Sequence, residues 1–321
     1  MMRTSMTDLF AGRLRLPLIV APMFRVSGLE LVLEACRSGV IGAFPAANCR
    51  PAEELGGWVT RLQDELGDTD APFCVNLIMR RDSLQDELAC LCAAGVEIVI
   101  TSVGNPAPVI PALHDAGCLV LADVTSIAHA RKAIDAGADG LVLLSAGAGG
   151  QTGWANGIAF VRAVRSFFDG PVVLAGGLCD GQALLAARIL GADMGYMGTR
   201  FIATHESAAS QAYKEMLIGA SMDDILRTAA FTGLDASILV PSIRAVGLSP
   251  HDLPTDISAE TAAAMYGSGG DAMVRRWSDI WSAGHSVSGV HDIPSVRELV
   301  GKIEADYRQA REALIADMIT G

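Results

Sequence analysis

The chain has 321 residues, 51% of them apolar and 19% charged, and carries a formal net charge of −12. That length suits one large α/β domain with an appendage, and the acidity argues against a nucleic-acid partner, which is held by Lys and Arg neutralising phosphates. Every apolar run is broken by Gly, Pro or a charge well before the ~18 residues a spanning helix needs, so no membrane partner is expected. Residues 1–15 show no apolar segment followed by a small-residue cleavage site. The seven cysteines (Cys36, Cys49, Cys74, Cys90, Cys92, Cys118, Cys179) are odd in number and scattered, which excludes a disulfide framework and a CxxC metal pair. These features predict a cytoplasmic protein with reduced thiols and a small-molecule ligand.

From Leu16 onward one unit repeats: an amphipathic helix ends at glycine and a short, unbroken apolar run follows. Leu16–Met23 opens the series as a strand. Gly39 then precedes VIGAFPA, Gly67 precedes APFCVNLI, Gly95 precedes VEIVITS and Gly117 precedes CLVLADV. Gly137 precedes ADGLVLLS, Gly170 precedes PVVLAGG and Gly191 precedes ADMGYMG. Glycine is the expected helix stop because it enters the left-handed region without a Cβ penalty. Unbroken Val/Ile/Leu runs indicate parallel strands covered on both faces. Eight βα units predict closure into an α/β fold of the (β/α)₈ TIM-barrel type, and the rival open sheet lacks a GxGxxG after its first strand.

After about Thr204 the rhythm stops. Residues 206–228 read as helix and complete a barrel spanning 1–228. Residues 229–290, rich in Gly, Pro and Ser at their start, read as a C-terminal cap near the catalytic face, and 291–321 as a helix packing back on the barrel. That helix carries Val296, Leu299, Val300, Ile303, Tyr307, Ala310 and Leu314 at helical spacing.

Barrel enzymes bind ligands in the loops after their strands, often with a phosphate site after strands seven and eight. Here those loops are Ala175-Gly176-Gly177, leading to a helix near Asp180, and Met197-Gly198-Thr199, leading directly into a helix. Bare amides at two adjacent helix N-termini make an anion cradle. The loop after strand six is enlarged and holds Gly147, Gly149, Gly150 and Gly153, with Gln151 and Thr152 as side-chain donors above the pocket. Across the mouth, Ala21-Pro22-Met23 ends strand one and offers a soft surface for a flat ring. Asn76 ends strand three and suits a pyrimidine-like edge. Trp154 is read either as a pocket wall or as core.

These segments resemble the nitronate monooxygenase (2-nitropropane dioxygenase-like) family of FMN-dependent barrels. The likeness runs through LPLIVAPM, FCVNL, GADGLVLLSAGAGG, PVVLAGG, GADMGYMGTRFIATHES and AAFTG to WSDIWSAGHSVSGV and DIPSVRELV. It implies that Gly149, Gly150, Gly176, Gly177, Gly198 and Thr199 bind the FMN phosphate, and that Pro22, Met23 and Asn76 lie against the isoalloxazine. It further implies oxidation of alkyl nitronates with O2. A reductase drawing on NAD(P)H to act on a quinone or enoyl thioester, and a non-catalytic flavin-binding barrel, stand as alternatives.

One position departs from the family. Its glycine-rich loop continues with a histidine proposed as catalytic base, where this chain has Gln151. An amide does not take a proton near neutral pH, whereas a placed base is worth about 10²- to 10⁴-fold. Gln151 is therefore assigned to orienting a substrate that is already an anion. Asp123 at the end of strand five, or His205 after strand eight, is left as the replacement base. His114, His129, His251, His285 and His291 are read as structural.

Overall fold

The computed structural model describes residues 5–49, 53–266 and 274–320; residues 267–273 of the expected cap lie outside that set. The strands, in chain order, begin with β1 (Leu18–Val20), β2 (Ile41–Pro45), β3 (Phe73–Ile78), β4 (Ile98–Ser102) and β5 (Leu119–Val124). They continue with β6 (Gly140–Leu144), β7 (Gly150–Gln151), β8 (Val172–Ala175), β9 (Met194–Met197), β10 (Ile225–Thr228) and β11 (Ala236–Leu239). β1 to β6, β8 and β9 form a closed barrel in sequence order, every pair parallel, with β9 sealing against β1 through Ile19↔Tyr196. This is the (β/α)₈ barrel that the repeat predicts.

Period-two alternation sorts each strand. Ile19, Ala43, Cys74, Ile100, Val142 and Val173 pack together inside the barrel, while Val20, Phe44, Val75, Val99, Leu141 and Leu174 pack outward against the helices. Nothing in the repeat foretold what closes the N-terminal end. A four-residue helix, Met6–Leu9, capped by Ser5, places Met6 and Phe10 in the interior cluster.

Five of the seven repeat glycines stop their helices as expected, with left-handed φ between 63° at Gly95 and 111° at Gly191. Gly67 and Gly170 do not. The helix before Gly67 ends at Leu66 in extended backbone, and at Gly170 the Phe168 ring fills the place of a Cβ.

The stretch 206–228 is not one helix. It is helical only over Gln211–Ile218; Ser221 and Asp224 then form a capping box, and Ile225–Thr228 becomes β10. β10 pairs antiparallel with β11, and β11 pairs with β7 through Ala236↔Gln151. The backbone hydrogen bonds of Ile225–Thr228 thus go to the cap, a partner that local helical spacing does not reveal. The enlarged loop after β6 is thereby a strand in a three-stranded sheet.

The C-terminal helix, Val296–Thr320, packs by Val296, Leu299, Val300 and Ile303. It crosses the helix Gly181–Leu190 so closely that a Cβ on Gly181 would lie 2.1 Å from the Ile303 carbonyl. Its last turns leave the barrel: Leu314, assigned to the buried stripe, is 40% exposed, and Met318 and Ile319 are nearly fully so. Among the described residues, no helix is long and apolar enough to cross a membrane.

Candidate active site

Inward-facing residues at the C-terminal ends of the strands line a cavity of about 530 Å³. Ala21, Pro22 and Met23 enter from β1, Asn76 from β3, Asp123 from β5, and Ala175, Gly176 and Gly177 from β8. Gly149, Gly150 and Gln151 come from the loop after β6, and Gly198 and Thr199 follow β9. Met197 does not join them. It is buried in the outer layer, and its carbonyl receives the Ala21 amide at 3.0 Å, because β9 parity turns Tyr196 inward instead.

The glycine turns interlock. The Ser145 hydroxyl donates to the Ala175 carbonyl at 2.6 Å and sits 2.5 Å from where a Gly176 Cβ would be, so only glycine fits. Gly177 (φ 76°) and Gly150 (φ 67°) have no atom within 4 Å of an added Cβ, so a side chain there would project into open space. The backbone N–H groups of Gly149, Gly176, Gly177, Gly198 and Thr199 donate to no protein acceptor among the described residues. Five unclaimed donors around one cavity are a chemistry that could receive an anion.

The cradle differs from the sequence expectation in one respect. The helix after Gly177 is capped by its own Asp180, whose carboxylate takes the Ala183 amide at 2.7 Å. Its N-terminus is already satisfied by an anion. The helix after Gly198 is short, Thr199–Ile202, so the loop amides rather than two helix ends form the cradle. The Thr199 hydroxyl accepts the Gly284 amide at 2.9 Å, and Gly284 itself sits against the Gly147–Gly149 loop too tightly for a Cβ. This clamp from residues 283–285 was not read from sequence; the glycine within WSAGHS was its only trace.

Asn76 is buried and held on both sides, its amide nitrogen donating to the Ile100 carbonyl and the Ser102 hydroxyl, each at 3.1 Å. Its Oδ1 faces the same Ser102 hydroxyl, at 3.3 Å. The Ala21–Ser27 turn is pinned by Ser27 on the Met23 amide (2.9 Å) and by Asn48 donating to the Met23 carbonyl (3.0 Å).

Asp123 has a buried oxygen, Oδ1, with no hydrogen-bond partner. Burial pushes its carboxyl up to about 7, because desolvation disfavours the charged form. Gln151 lies in β7, and its side-chain amide has no protein partner among the described residues. Thr152 does not face the cavity; its hydroxyl donates to the Ser145 carbonyl at 3.0 Å. Trp154, 73% exposed, is neither core nor wall. His205 is exposed, lies outside the cavity, and gives its backbone amide to Pro294.

Sequence reasoning expected a cap over 229–290 near the catalytic face but named none of the residues that line the cavity from it. Tyr213, Arg276, Trp277 and Trp281 close over the mouth, with Trp281 stacked on Tyr213 at 4.9 Å. Backbone strain gathers here too: Val103 (φ 55°) and Trp277 (φ 66°) both line the cavity, and a β-branched residue in that region is a true outlier.

A nitronate monooxygenase family model matches residues 83–306. The chain belongs to the nitronate monooxygenase family. A nitronate monooxygenase of Pseudomonas aeruginosa is 30% identical, over 72% of this chain and 79% of that protein. A Mycobacterium tuberculosis (3aS,4S,5R,7aS)-5-hydroxy-7a-methyl-1-oxo-octahydro-1H-indene-4-carboxyl-CoA dehydrogenase is 29% identical over 74% of this chain, which spans 66% of that protein's length. Among solved structures, FabK from Thermotoga maritima superposes with a TM-score of 0.83 at 27% identity, covering 98% of this chain and 99% of that one. A nitroalkane oxidase from Streptomyces ansochromogenes superposes at 0.80, also at 27% identity, covering 97% and 100%.

Proposed function

We propose that this nitronate monooxygenase family member holds FMN in the barrel mouth and oxidises alkyl nitronates with O2 in preference to neutral nitroalkanes. The observation that carries the reading is the ring of unclaimed amides at Gly149, Gly176, Gly177, Gly198 and Thr199. A phosphate dianion meets those donors without displacing any protein contact, which is the chemical fit that FMN requires. The Ala21-Pro22-Met23 turn and Asn76, which line the same cavity, would hold the ring end. When bound, FMN supplies the electron-accepting and oxygen-reactive chemistry.

The protein's own groups explain the substrate preference. Gln151 is free to donate its amide to a nitro oxygen but does not remove a proton from carbon. Asp123 holds its proton up to about pH 7 and, while protonated, donates to an anion without repelling it. As pH rises through about 7 the group ionises, so the activity toward nitronates falls while a base for neutral nitroalkanes becomes available.

A second reading is favoured by the likeness to a carboxyl-CoA dehydrogenase: an NAD(P)H-dependent reductase acting on a quinone or enoyl thioester. Anaerobic mixing of the flavin-loaded protein with a nitronate, a nitroalkane, NADH and NADPH separates the readings. Rapid bleaching by the nitronate alone supports the monooxygenase, and rapid bleaching by a pyridine nucleotide supports the reductase. Bleaching by neither leaves a flavin-binding barrel without this chemistry.

A further inference from the structure

Residues 281–285 form a strap between the cap and the glycine turns, hydrogen-bonded at both ends. At the cap end the Trp281 carbonyl receives the Leu239 amide at 2.8 Å, and the Trp281 amide donates to the Ser242 hydroxyl at 3.0 Å. Ser282 bridges to Ile238 of β11, and its carbonyl receives the buried Tyr213 hydroxyl. At the barrel end Gly284 donates its amide to the Thr199 hydroxyl at 2.9 Å, and His285 donates its amide to the Gly147 carbonyl, also at 2.9 Å.

The barrel end is packed too closely for side chains. A Cβ on Gly284 would collide with the Gly147 carbonyl and lie 2.8 Å from the Gly149 amide nitrogen. A Cβ on Gly149 would lie 2.9 Å from the Gly284 amide nitrogen and 3.1 Å from the Thr199 hydroxyl oxygen. The strap, the loop after β6 and the Thr199 turn thus meet at one point, while Trp281, three residues away, lines the same cavity and stacks on Tyr213.

Thr199 is where this junction opens to the cavity. It is 4% exposed and lines the cavity wall. A hydroxyl accepts through two lone pairs and donates one proton. The Gly284 amide occupies one lone pair, and the proton finds no acceptor among the described residues. A hydroxyl that already accepts a hydrogen bond donates a stronger one, because linked bonds polarise each other.

We infer that Gly284 is a positioning residue: its amide sets the Thr199 hydroxyl to donate to a phosphate held by the glycine turns, so that filling those turns tightens the strap. The inference rests on the phosphate reading of the turns and adds their coupling to the cap. Tightening passes from Gly284 to Ser282, from Ser282 to Ile238 in β11, and from β11 to Gln151 in β7 through Ala236↔Gln151. The phosphate end of the cofactor is thereby linked to the aromatic lining at Trp281 and to the strand that carries Gln151. Such coupling is reciprocal, so a strap held in place also raises the affinity for phosphate.

The test is amide hydrogen exchange of residues 281–287 in the cofactor-free protein, alone and with saturating FMN, riboflavin or inorganic phosphate. Wild type, Thr199→Ser and Thr199→Val are compared, and flavin uptake is read separately by fluorescence quenching. Positioning by Gly284 predicts that FMN slows exchange at the Gly284 and His285 amides at least about fivefold in wild type, and that riboflavin, which lacks the phosphate, does not. Thr199→Ser keeps the effect, and Thr199→Val loses it at full FMN occupancy. Equal slowing by FMN in wild type and Thr199→Val overturns the inference, since a mere brace would shift exchange in the free and bound states alike. Equal slowing by riboflavin and FMN in wild type overturns it too, without any variant. FMN uptake with no slowing sinks the coupling and leaves the flavin reading intact. In a protein that takes up no FMN the flavin reading fails, and inorganic phosphate decides the coupling: slowing at Gly284 and His285 upholds it, and unchanged exchange overturns it.

Discussion

At the scale of single residues, the proposed chemistry turns on two side chains, Gln151 and Asp123. Gln151→His restores the base that the family loop carries, and a placed base is worth about 10²- to 10⁴-fold. Steady-state assays at pH 8 in an Asp123→Asn background, where that carboxylate cannot serve as base, should show kcat/KM for a neutral nitroalkane rising at least about tenfold with the added histidine and little change for its nitronate; an unchanged nitroalkane rate would contradict the role given to Gln151. Asp123 makes a pH-dependent prediction with a definite sign. Its folded carboxyl titrates at about 7 against about 3.9 unfolded, so the folded state binds the extra proton. The cost of burying the charge is therefore absent below pH 4, grows between 4 and 7, and is complete above 7. Cofactor-free Asp123→Asn should gain up to about 4 kcal/mol over wild type at pH 8 and almost nothing at pH 4. Urea denaturation at both pH values checks this, and a pH-independent difference would contradict it. The glycine turns were legible in the sequence because they follow strand ends, whereas Asn76, expected to end strand three, lies inside β3 and still lines the cavity. Asp180 as a cap, Thr152 as a loop brace and the pinning roles of Ser27 and Asn48 were not legible, because each depends on which neighbour the fold delivers.

At the scale of elements, the site is held by interlocked turns rather than by any one segment. Gly181 lets the helix Gly181–Leu190 cross the C-terminal helix, with the Ile303 carbonyl and the Tyr307 amide each 2.1 Å from a would-be Cβ. Because both neighbours are backbone, neither yields by a rotamer change. Gly181→Val should destabilise by roughly 3 kcal/mol or more, as overpacking of a tight contact does, read as a lowered urea midpoint. Removing residues 311–321 should do little, since residues 311–319 are exposed and bury almost no apolar area; a midpoint shift of less than about 0.5 kcal/mol is expected. The helical spacing at 206–228 misled because amphipathic pattern reports which residues want burial, not whether the partner is a helix or a strand. Only the antiparallel pairing of Ile225↔Leu239 makes β10 a strand.

At the scale of the molecule, the barrel was legible because its signal is repeated. Each βα unit carries its own apolar run, and most carry a helix-stopping glycine, so errors at Gly67 and Gly170 leave the count intact. The cap is a single, unrepeated arrangement, and Arg276, Trp277 and Trp281 from it meet Tyr213 of the helix Gln211–Ile218, distant in sequence, at the cavity. No local pattern announces such convergence. The barrel thus supplies the glycine turns and the inward Asp123, while the cap supplies Arg276, Trp277 and Trp281 to the cavity lining.

The account stands on the glycine cradle holding a phosphate. Its most direct measurement is titration of FMN into the cofactor-free protein, followed by quenching of flavin fluorescence, for wild type and for Gly177→Val, whose side chain would enter the cavity. The account predicts saturable uptake of one FMN per chain by wild type and at least about a hundredfold weaker uptake by a folded Gly177→Val, from lost amide contacts and a strained positive φ. Equal uptake by the two proteins, or a folded wild type that takes up no FMN, would contradict it.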